Sequence, residues 1–338
     1  MKHILPLIIA CLLVFSLPAF SQENSSPDED LRSYLQKDYF TVNVLIQGEG
    51  RFSFRDDDFQ GGRTFNLVNA RISIKGRLDR GFFYRLYVDA ASSPVLLDAY
   101  VGYRVNEAFS FSLGAMKPDQ TLDYLPDPGS HNFVDRATMT GLLISSREIG
   151  LAIRGNVSDF YYYAGLFNGN RINSNNNNRF YGRGRLQYTS LDLIPGSVQF
   201  GLSGSHGNSE GTISGSSGPL LRGRRSIAGA DVEIYTGRLY LAAEYLRGSL
   251  ETLTLPSVAE VISGYYFTGG VQVRDNTMAL CRWQAWYYRE AGTRERKLTL
   301  GANIDFTAIT GLVVNIDAYI PNQGYTRYGA SCIFQVQF

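Results

Sequence analysis

Residues 328–338 read YGASCIFQVQF. Taken two apart, Tyr328, Ala330, Cys332, Phe334, Val336 and Phe338 fall on one face, and Gly329, Ser331, Ile333, Gln335 and Gln337 on the other. The first face is apolar and the second mostly polar, as in a strand with different media on its two sides. Chain ends ordinarily fray unless they are tied down. If this segment pairs with the first strand, the sheet closes on itself and has no free edge. The stretch is therefore expected to be the closing strand of a barrel, with Phe338 at a membrane interface.

The same alternation recurs upstream. In NARISIKGRL (69–78), Ala70, Ile72, Ile74, Gly76 and Leu78 oppose Asn69, Arg71, Ser73, Lys75 and Arg77. KLTLGANIDF (297–306), GLVVNIDAYI (311–320) and AGADVEI (228–234) repeat it, each with charge on the polar face. Strands are expected near 39–54, 64–79, 82–91, 96–105, 108–117, 148–156, 159–168, 179–190, 197–205, 225–235, 238–248, 261–274, 277–289, 295–306, 311–320 and 326–338. A soluble sandwich would alternate in the same way, but the links discriminate. DRG (79–81), NE (106–107), VSD (157–159), TG (236–237) and DN (275–276) are short. RDDDFQGGR (55–63), 118–147, NRINSNNNN (170–178), 206–224 and 249–260 are long and polar. Long loops on one side and short turns on the other are the habit of an outer-membrane barrel. The short link at 92–95 and the long turn at 191–196 depart from it. The fold expected is all-β: a transmembrane antiparallel barrel of about 16 strands, with the long third loop folded inward.

The first residues, MKHILPLIIACLLVFSLPAFSQ, have a basic start, an apolar run and a small-residue exit, so 1–21 read as a secretory signal peptide. Residues 22–38 read as a flexible leader and 39–338 as the barrel. Beyond the signal no stretch is long and apolar enough for a membrane helix. Closure into a barrel is the other way to satisfy every backbone group in lipid. The 35 Gly, 22 Tyr and 20 Phe suit turns, tapering strands and interfacial belts. Removing the signal takes Lys2 and Cys11 with it, which leaves charge near balance and two cysteines, Cys281 and Cys332. That excludes a disulfide scaffold, and any charge effect must come from placement.

Sixteen strands leave an aqueous bore. By alternation, Arg71, Lys75, Arg77, Arg85, Arg104, Arg154, Arg183, Arg185 and Arg282 point into it. Two readings compete for them: rows that guide anions through bidentate contacts, or partners of lumen acids such as Glu49, Asp89, Glu148 and Asp231 that stiffen the wall. The loop at 118–147 and its flanks carry Lys117, Asp119, Asp123, Asp127, Asp135, Arg136 and Arg147, a mixed and not a basic set. Its TMTGLLI run (138–144) is too apolar for free solvation and should pack against the wall or a neighbouring subunit.

FNLVNARISIKGRLDRGFFYRLYVDAA (65–91), LLDAYVGYRV (96–105), FSFSLGAMKP (109–118), FVDRATM (133–139), SREIGLAIRGNV (146–157) and YYYAGLFNGN (161–170) follow one another in order. Over roughly 64–190 the chain resembles the phosphate-selective porin O and P family; from 191 on it is compatible in pattern. The resemblance implies a homotrimeric sixteen-stranded porin of the bacterial outer membrane, with lumen bases guiding anions by passive diffusion. It also makes a terminal Phe such as Phe338 resemble the signal read by the barrel-assembly machinery. The expectation is a water-filled channel for small hydrophilic solutes with a mild preference for anions. An adhesin or structural barrel stays open, as does a barrel hydrolase. The hydrolase has little support: His131 and His206 are the histidines beyond the signal, and no HExxH, CxxC or P-loop occurs. No cofactor, metal or nucleic acid is expected.

Overall fold

The computed structural model describes residues 36–37, 39–55, 62–144, 147–172, 177–191, 193–254 and 258–338. The expected signal peptide, and the leader up to residue 35, lie outside the described residues. A two-residue strand β1 (Gln36–Lys37) pairs with the start of the next strand. Sixteen longer strands follow. They are β2 (Phe40–Ser53), β3 (Thr64–Arg77), β4 (Phe82–Asp89), β5 (Leu96–Arg104), β6 (Ser110–Met116), β7 (Glu148–Val157), β8 (Phe160–Phe167) and β9 (Tyr181–Ser190). The other half comprises β10 (Ser197–Ile213), β11 (Leu220–Thr236), β12 (Leu239–Thr252), β13 (Glu260–Arg274), β14 (Thr277–Tyr288), β15 (Thr293–Asp305), β16 (Thr310–Ile320) and β17 (Arg327–Gln337).

Each strand pairs antiparallel with the next, and β17 pairs back onto β2 from Gly329 opposite Ser53 to Gln337 opposite Leu45. Beyond that register Phe338 donates its N–H to the Val44 carbonyl at 3.1 Å, and Val44 donates back at 2.7 Å. The ring is thus closed to its last residue, and no lipid-facing backbone group is left without a partner along that seam. The face of β17 holding Tyr328 and Phe334 is exposed outward, while Ser331 and Ile333 are buried inside. Phe65, Leu67, Ile72, Val101, Leu113, Leu151, Leu166 and Leu186 share the outward face of their own strands. Rings collect at the turn end of that face: Phe82 with Tyr103, Phe109 with Phe111, Phe160 with Tyr188, and Phe306 with Phe334. Such a girdle suits a membrane interface.

One expected loop is a hairpin. Residues 206–224 continue β10 and β11 to Ile213 and Leu220, each strand 17 residues long. The outward positions there are His206, Asn208, Glu210, Arg222 and Arg224, so apolar alternation stops where the hairpin leaves lipid for water. The wall is consequently uneven. β4, β5 and β6 have 8, 9 and 7 residues, against 14 to 17 for β10 to β13.

The segment between β6 and β7 carries a short helix, α1 (Thr138–Leu143). It lies against the inner face of the tall wall. Met139, Leu142, Leu143 and Ile144 are buried among Leu221, Ile227, Leu246, Leu250, Ile262 and Trp286. The TMTGLLI run therefore packs on the wall of its own barrel. Two glycines make room for it. A Cβ on Gly248 would stand 2.6 Å from Leu143, and one on Gly264 would stand 2.8 Å from Met139. A second cluster, Leu122, Phe133, Ala137, Tyr240, Tyr266 and Leu280, continues the packing toward the turn end.

Candidate functional site

The segment from Lys117 to Arg147 is tied to strands all round the ring. Arg51 on β2 reaches Asp135 at 2.6 Å, and Arg85 on β4 reaches Asp127 at 3.3 Å. Arg154 on β7 meets Asp119 at 3.2 Å, and Arg185 on β9 donates to the Gln120 carbonyl at 3.1 Å. Glu244 on β12 accepts from the Leu122 N–H at 3.0 Å, and Arg282 on β14 meets Asp123 at 3.2 Å. Lys297 on β15 lies 3.7 Å from Asp135, and Gln335 on β17 donates to the Gly129 carbonyl at 3.1 Å. A segment that touches opposite sides of a closed ring crosses its interior, and this one narrows the bore.

Its charges are largely consumed in these ties. All four acids named from the sequence, Asp119, Asp123, Asp127 and Asp135, face an Arg of the wall. Arg147 meets Asp98 at 2.8 Å. Arg136 donates to the carbonyls of Asp123 and Pro126. Lys117 donates to the carbonyls of Leu125 at 2.8 Å and Pro126 at 2.9 Å, with Asp127 3.5 Å away. Burial pushes the Lys117 ammonium down to about 7, with Arg136 and Arg147 adding to the shift and Asp127 opposing it. Burial and the nearby Arg136 push His131 down to about 3, so its ring is neutral at ordinary pH. The guanidinium of Arg51 and the ammonium of Lys297 hold the Asp135 carboxyl below the usual range against its burial.

The nine wall bases divide by partner. Arg71 pairs with Asp89 at 2.9 Å; Arg85, Arg154 and Arg282 pair with the segment as described. Arg183 meets Glu148 at 2.8 Å, and Arg185 holds Asp231 through two bonds of 2.7 and 2.8 Å. The side chains of Arg183 and Arg185 are 1% and 0% exposed, so they stiffen the wall and do not meet solute. Of the two readings open for Arg183 and Arg185, burial and carboxylate pairing favour the wall over anion guidance. Packed loop residues and partner carboxylates seal that side. Lys75, Arg77 and Arg104 differ. All three are exposed, and none has an ion pair among the described residues. With Arg85 and Tyr100 they line a 1090 Å³ cavity at the turn end, where one carboxylate, Asp79, also borders it. Lys75 and Arg85 also line a 190 Å³ cavity next to Asp127 and Gly129, so the two spaces meet beside the constriction.

Two bases of the site were missed from the sequence. Arg225 shares Glu148 with Arg183, at 2.9 Å, and stacks 3.8 Å from the Tyr181 ring centroid. Arg51 clasps Glu49 and Asp135. The signal existed in both cases: Arg225 has the parity of Asp231, and Arg51 that of Glu49.

A family model described as phosphate-selective porin O and P matches residues 42–279, from β2 into β14. The chain belongs to that family. This porin is an outer-membrane protein, and its barrel encloses a water-filled channel. The match runs well past residue 190, where short motifs give out. No curated protein sequence matches the porin. Among solved structures it is similar to OmpT of Vibrio cholerae in its trimer form (12% identity, TM-score 0.66, 88% of this chain and 99% of that one). It is also similar to an anion-selective porin from Comamonas acidovorans (12%, 0.65, 88% and 99%). OprB of Pseudomonas putida covers still more of the porin (11%, 0.60, 95% and 100%). At such identities the likeness is one of fold. With family and topology in hand, the turn end is periplasmic and the long-loop end faces outward.

Proposed function

We propose that this porin passes small hydrophilic solutes by diffusion with a mild preference for anions, and that Lys75, Arg77 and Arg104 supply the preference. One observation carries the reading: these three cations have no ion pair among the described residues at the periplasmic mouth, while the charges of the constriction are largely engaged with wall residues or carbonyls. Uncompensated bases beside a narrow aqueous path raise the local anion concentration without holding anions too tightly to leave. The acids of the third loop do not oppose the preference, because each already faces a guanidinium. The family name and the anion-selective relative of like fold are consistent with it.

The test is a reversal potential across a KCl gradient. The wild-type channel is expected to favour chloride. Lys75→Gln/Arg77→Gln/Arg104→Gln is expected to bring the permeability ratio to about one while leaving unit conductance within roughly twofold. Unchanged selectivity in that variant would overturn the assignment of these residues.

The porin is read as a conduit and not a catalyst. His131 is half-buried in the loop against the Pro126 carbonyl, while His206 faces outward and meets Ser226. We also infer a homotrimer, supported by the trimeric relative and the low wall at β4 to β6. Phe338, paired at the closing seam, is read as the assembly signal for the barrel-assembly machinery.

A further inference from the structure

Beside the constriction the inner wall is not uniformly basic. A cavity of 190 Å³ lies there under the third loop, which roofs it through Gly129, set against the Gln337 amide. Its cations are mostly answered. Arg71 is held by Asp89 at 2.9 Å, and Arg85 by Asp98 at 3.5 Å and Asp127 at 3.3 Å. Lys75 has no ion pair among the described residues. Asp127 also borders the space, with Lys117 3.5 Å from it, so that flank is closed to a second anionic group. The rest of the polar lining is neutral: Asn43, Ser73 and Gln337. Asn43 and Gln337 make no side-chain hydrogen bond among the described residues. Ser73 accepts one from Arg85 at 3.3 Å, which leaves its O–H to give.

The register sets these groups at the spacing of one small molecule. Asn43 stands opposite Ser73, and two positions toward the periplasm Thr41 stands opposite Lys75. Lys75 and Ser73 are thus same-face neighbours on β3, roughly 7 Å apart, and Asn43 is diagonal to Lys75 at roughly 7–8 Å. Gln337 stands opposite Leu45, one same-face step above Asn43. One cation is therefore followed up the wall by three neutral groups, each able to give and to accept a hydrogen bond. At about 30 Å³ of liquid per water, the cavity gives up roughly six waters, the bulk of a monosaccharide. The chemistry continues beyond Gly129. A 260 Å³ cavity there is lined by the amides of Asn132, Gln272, Asn276, Asn303 and Gln335 together with the Asp305 carboxylate. A bare anion draws on Lys75 and leaves the amides to water, whereas a polyol replaces that water bond for bond.

We propose that this cavity is a subsite for a small polyhydroxylated anion, a sugar acid or a sugar phosphate. Lys75 takes the anionic group, and Asn43, Ser73 and Gln337 take the hydroxyls that follow it along the carbon chain. An amide presents a donor and an acceptor side by side, which suits two adjacent hydroxyls. An uncharged sugar forgoes the ion pair and a bare anion forgoes the hydroxyl contacts, so each is held less well. The contacts are few and solvated, so the solute leaves again, as a diffusion channel requires. The inference rests on the reading of this porin as a diffusion channel with an anion preference, and it names the solutes that preference serves.

The test uses the folded porin in planar bilayers and reads block of the KCl current by added solute. The solutes are gluconate, glucose 6-phosphate, glucose and inorganic phosphate. Wild type is expected to be half-blocked by at least one of the two hydroxylated anions at about tenfold lower concentration than by glucose or inorganic phosphate. Block by gluconate alone would assign a carboxylate head group, by glucose 6-phosphate alone a phosphate, and by both the shared chemistry. Asn43→Ala/Gln337→Ala should raise that half-blocking concentration about tenfold, to the level of inorganic phosphate. If that pair does not give the heat-modifiable band of a closed barrel, Asn43→Asp, of the same size, is expected to weaken the block by setting a carboxylate beside Lys75. Glucose or inorganic phosphate blocking wild type as well as the hydroxylated anions do would overturn the subsite. So would a block that survives unchanged in a folded variant. The chloride preference is measured on the same membranes. Its absence would remove the proposed function, and its presence beside either of those results would remove the subsite alone.

Discussion

Lys117 stands where β6 ends and the inward segment begins, under Tyr124 and between two carbonyls and Asp127. With its ammonium pushed down to about 7, it is a cation in mild acid and neutral in mild base. Falling pH therefore adds one positive charge at the constriction. We expect the chloride-to-potassium permeability ratio to rise between pH 8 and pH 6, and Lys117→Met to flatten that rise. A ratio that falls with acidification would contradict the charge placed there. His131, neutral through this range, cannot supply the same change. Which side chains face the barrel interior was legible residue by residue, since parity alone sends Arg71, Arg85 or Arg185 inward. Their partners were not legible. Arg282 and Asp123 meet across 159 positions of sequence, through the path of a segment that no local pattern dictates.

At the level of elements, strands within lipid were readable to within a few residues, because a period of two is enforced wherever one face is oil. The pattern failed for β10 and β11 above the membrane, where the outward face is polar and the buried inward face mixes Ser209, Thr212 and Arg225 with Leu221, so no apolar period marks the strands. The helix α1 was visible as an apolar anomaly, TMTGLLI, but its wall partners were scattered over β11, β12, β13 and β14. Its buried face pins the segment. Leu143→Asp would bury a carboxylate among leucines without a partner, at a cost of several kcal/mol. The segment should then leave the wall. Single-channel records are expected to become noisier, with altered mean conductance, while the unboiled protein still shows the fast gel migration of a closed barrel. Steady, wild-type conductance would mean that the helix is held by something other than its apolar face.

The molecule as a whole is a ring of uneven height. Membrane strands in barrels run to about 9–11 residues. β4 to β6, at 8, 9 and 7 residues, reach that length at most once, and their outward Val101 and Leu113 are 63% and 59% exposed. Neighbouring copies covering that side would shield it, which is the basis for expecting three copies. Light scattering of the detergent complex, corrected for bound detergent, should give three chains, and Val101→Arg/Leu113→Arg should reduce it to one. A wild-type monomer under mild extraction would remove the trimer from the account. The closed ring itself was readable from YGASCIFQVQF and the segregation of link lengths. The uneven height was hidden, because it depends on strand ends that lie in water.

The bare backbone at Gly248 and Gly264 gives the channel a dial. Because Leu143 and Met139 rest directly on these positions, one methyl group at Gly248 would lift α1 into the passage, and one at Gly264 would press on both Met139 and the Ala285 carbonyl of the neighbouring strand. The diameter of the conduit can thus be retuned from behind, by side-chain size at two sites no solute ever touches. Relatives of this architecture could diverge in the size of solute they admit while every charge along the route stays as it was.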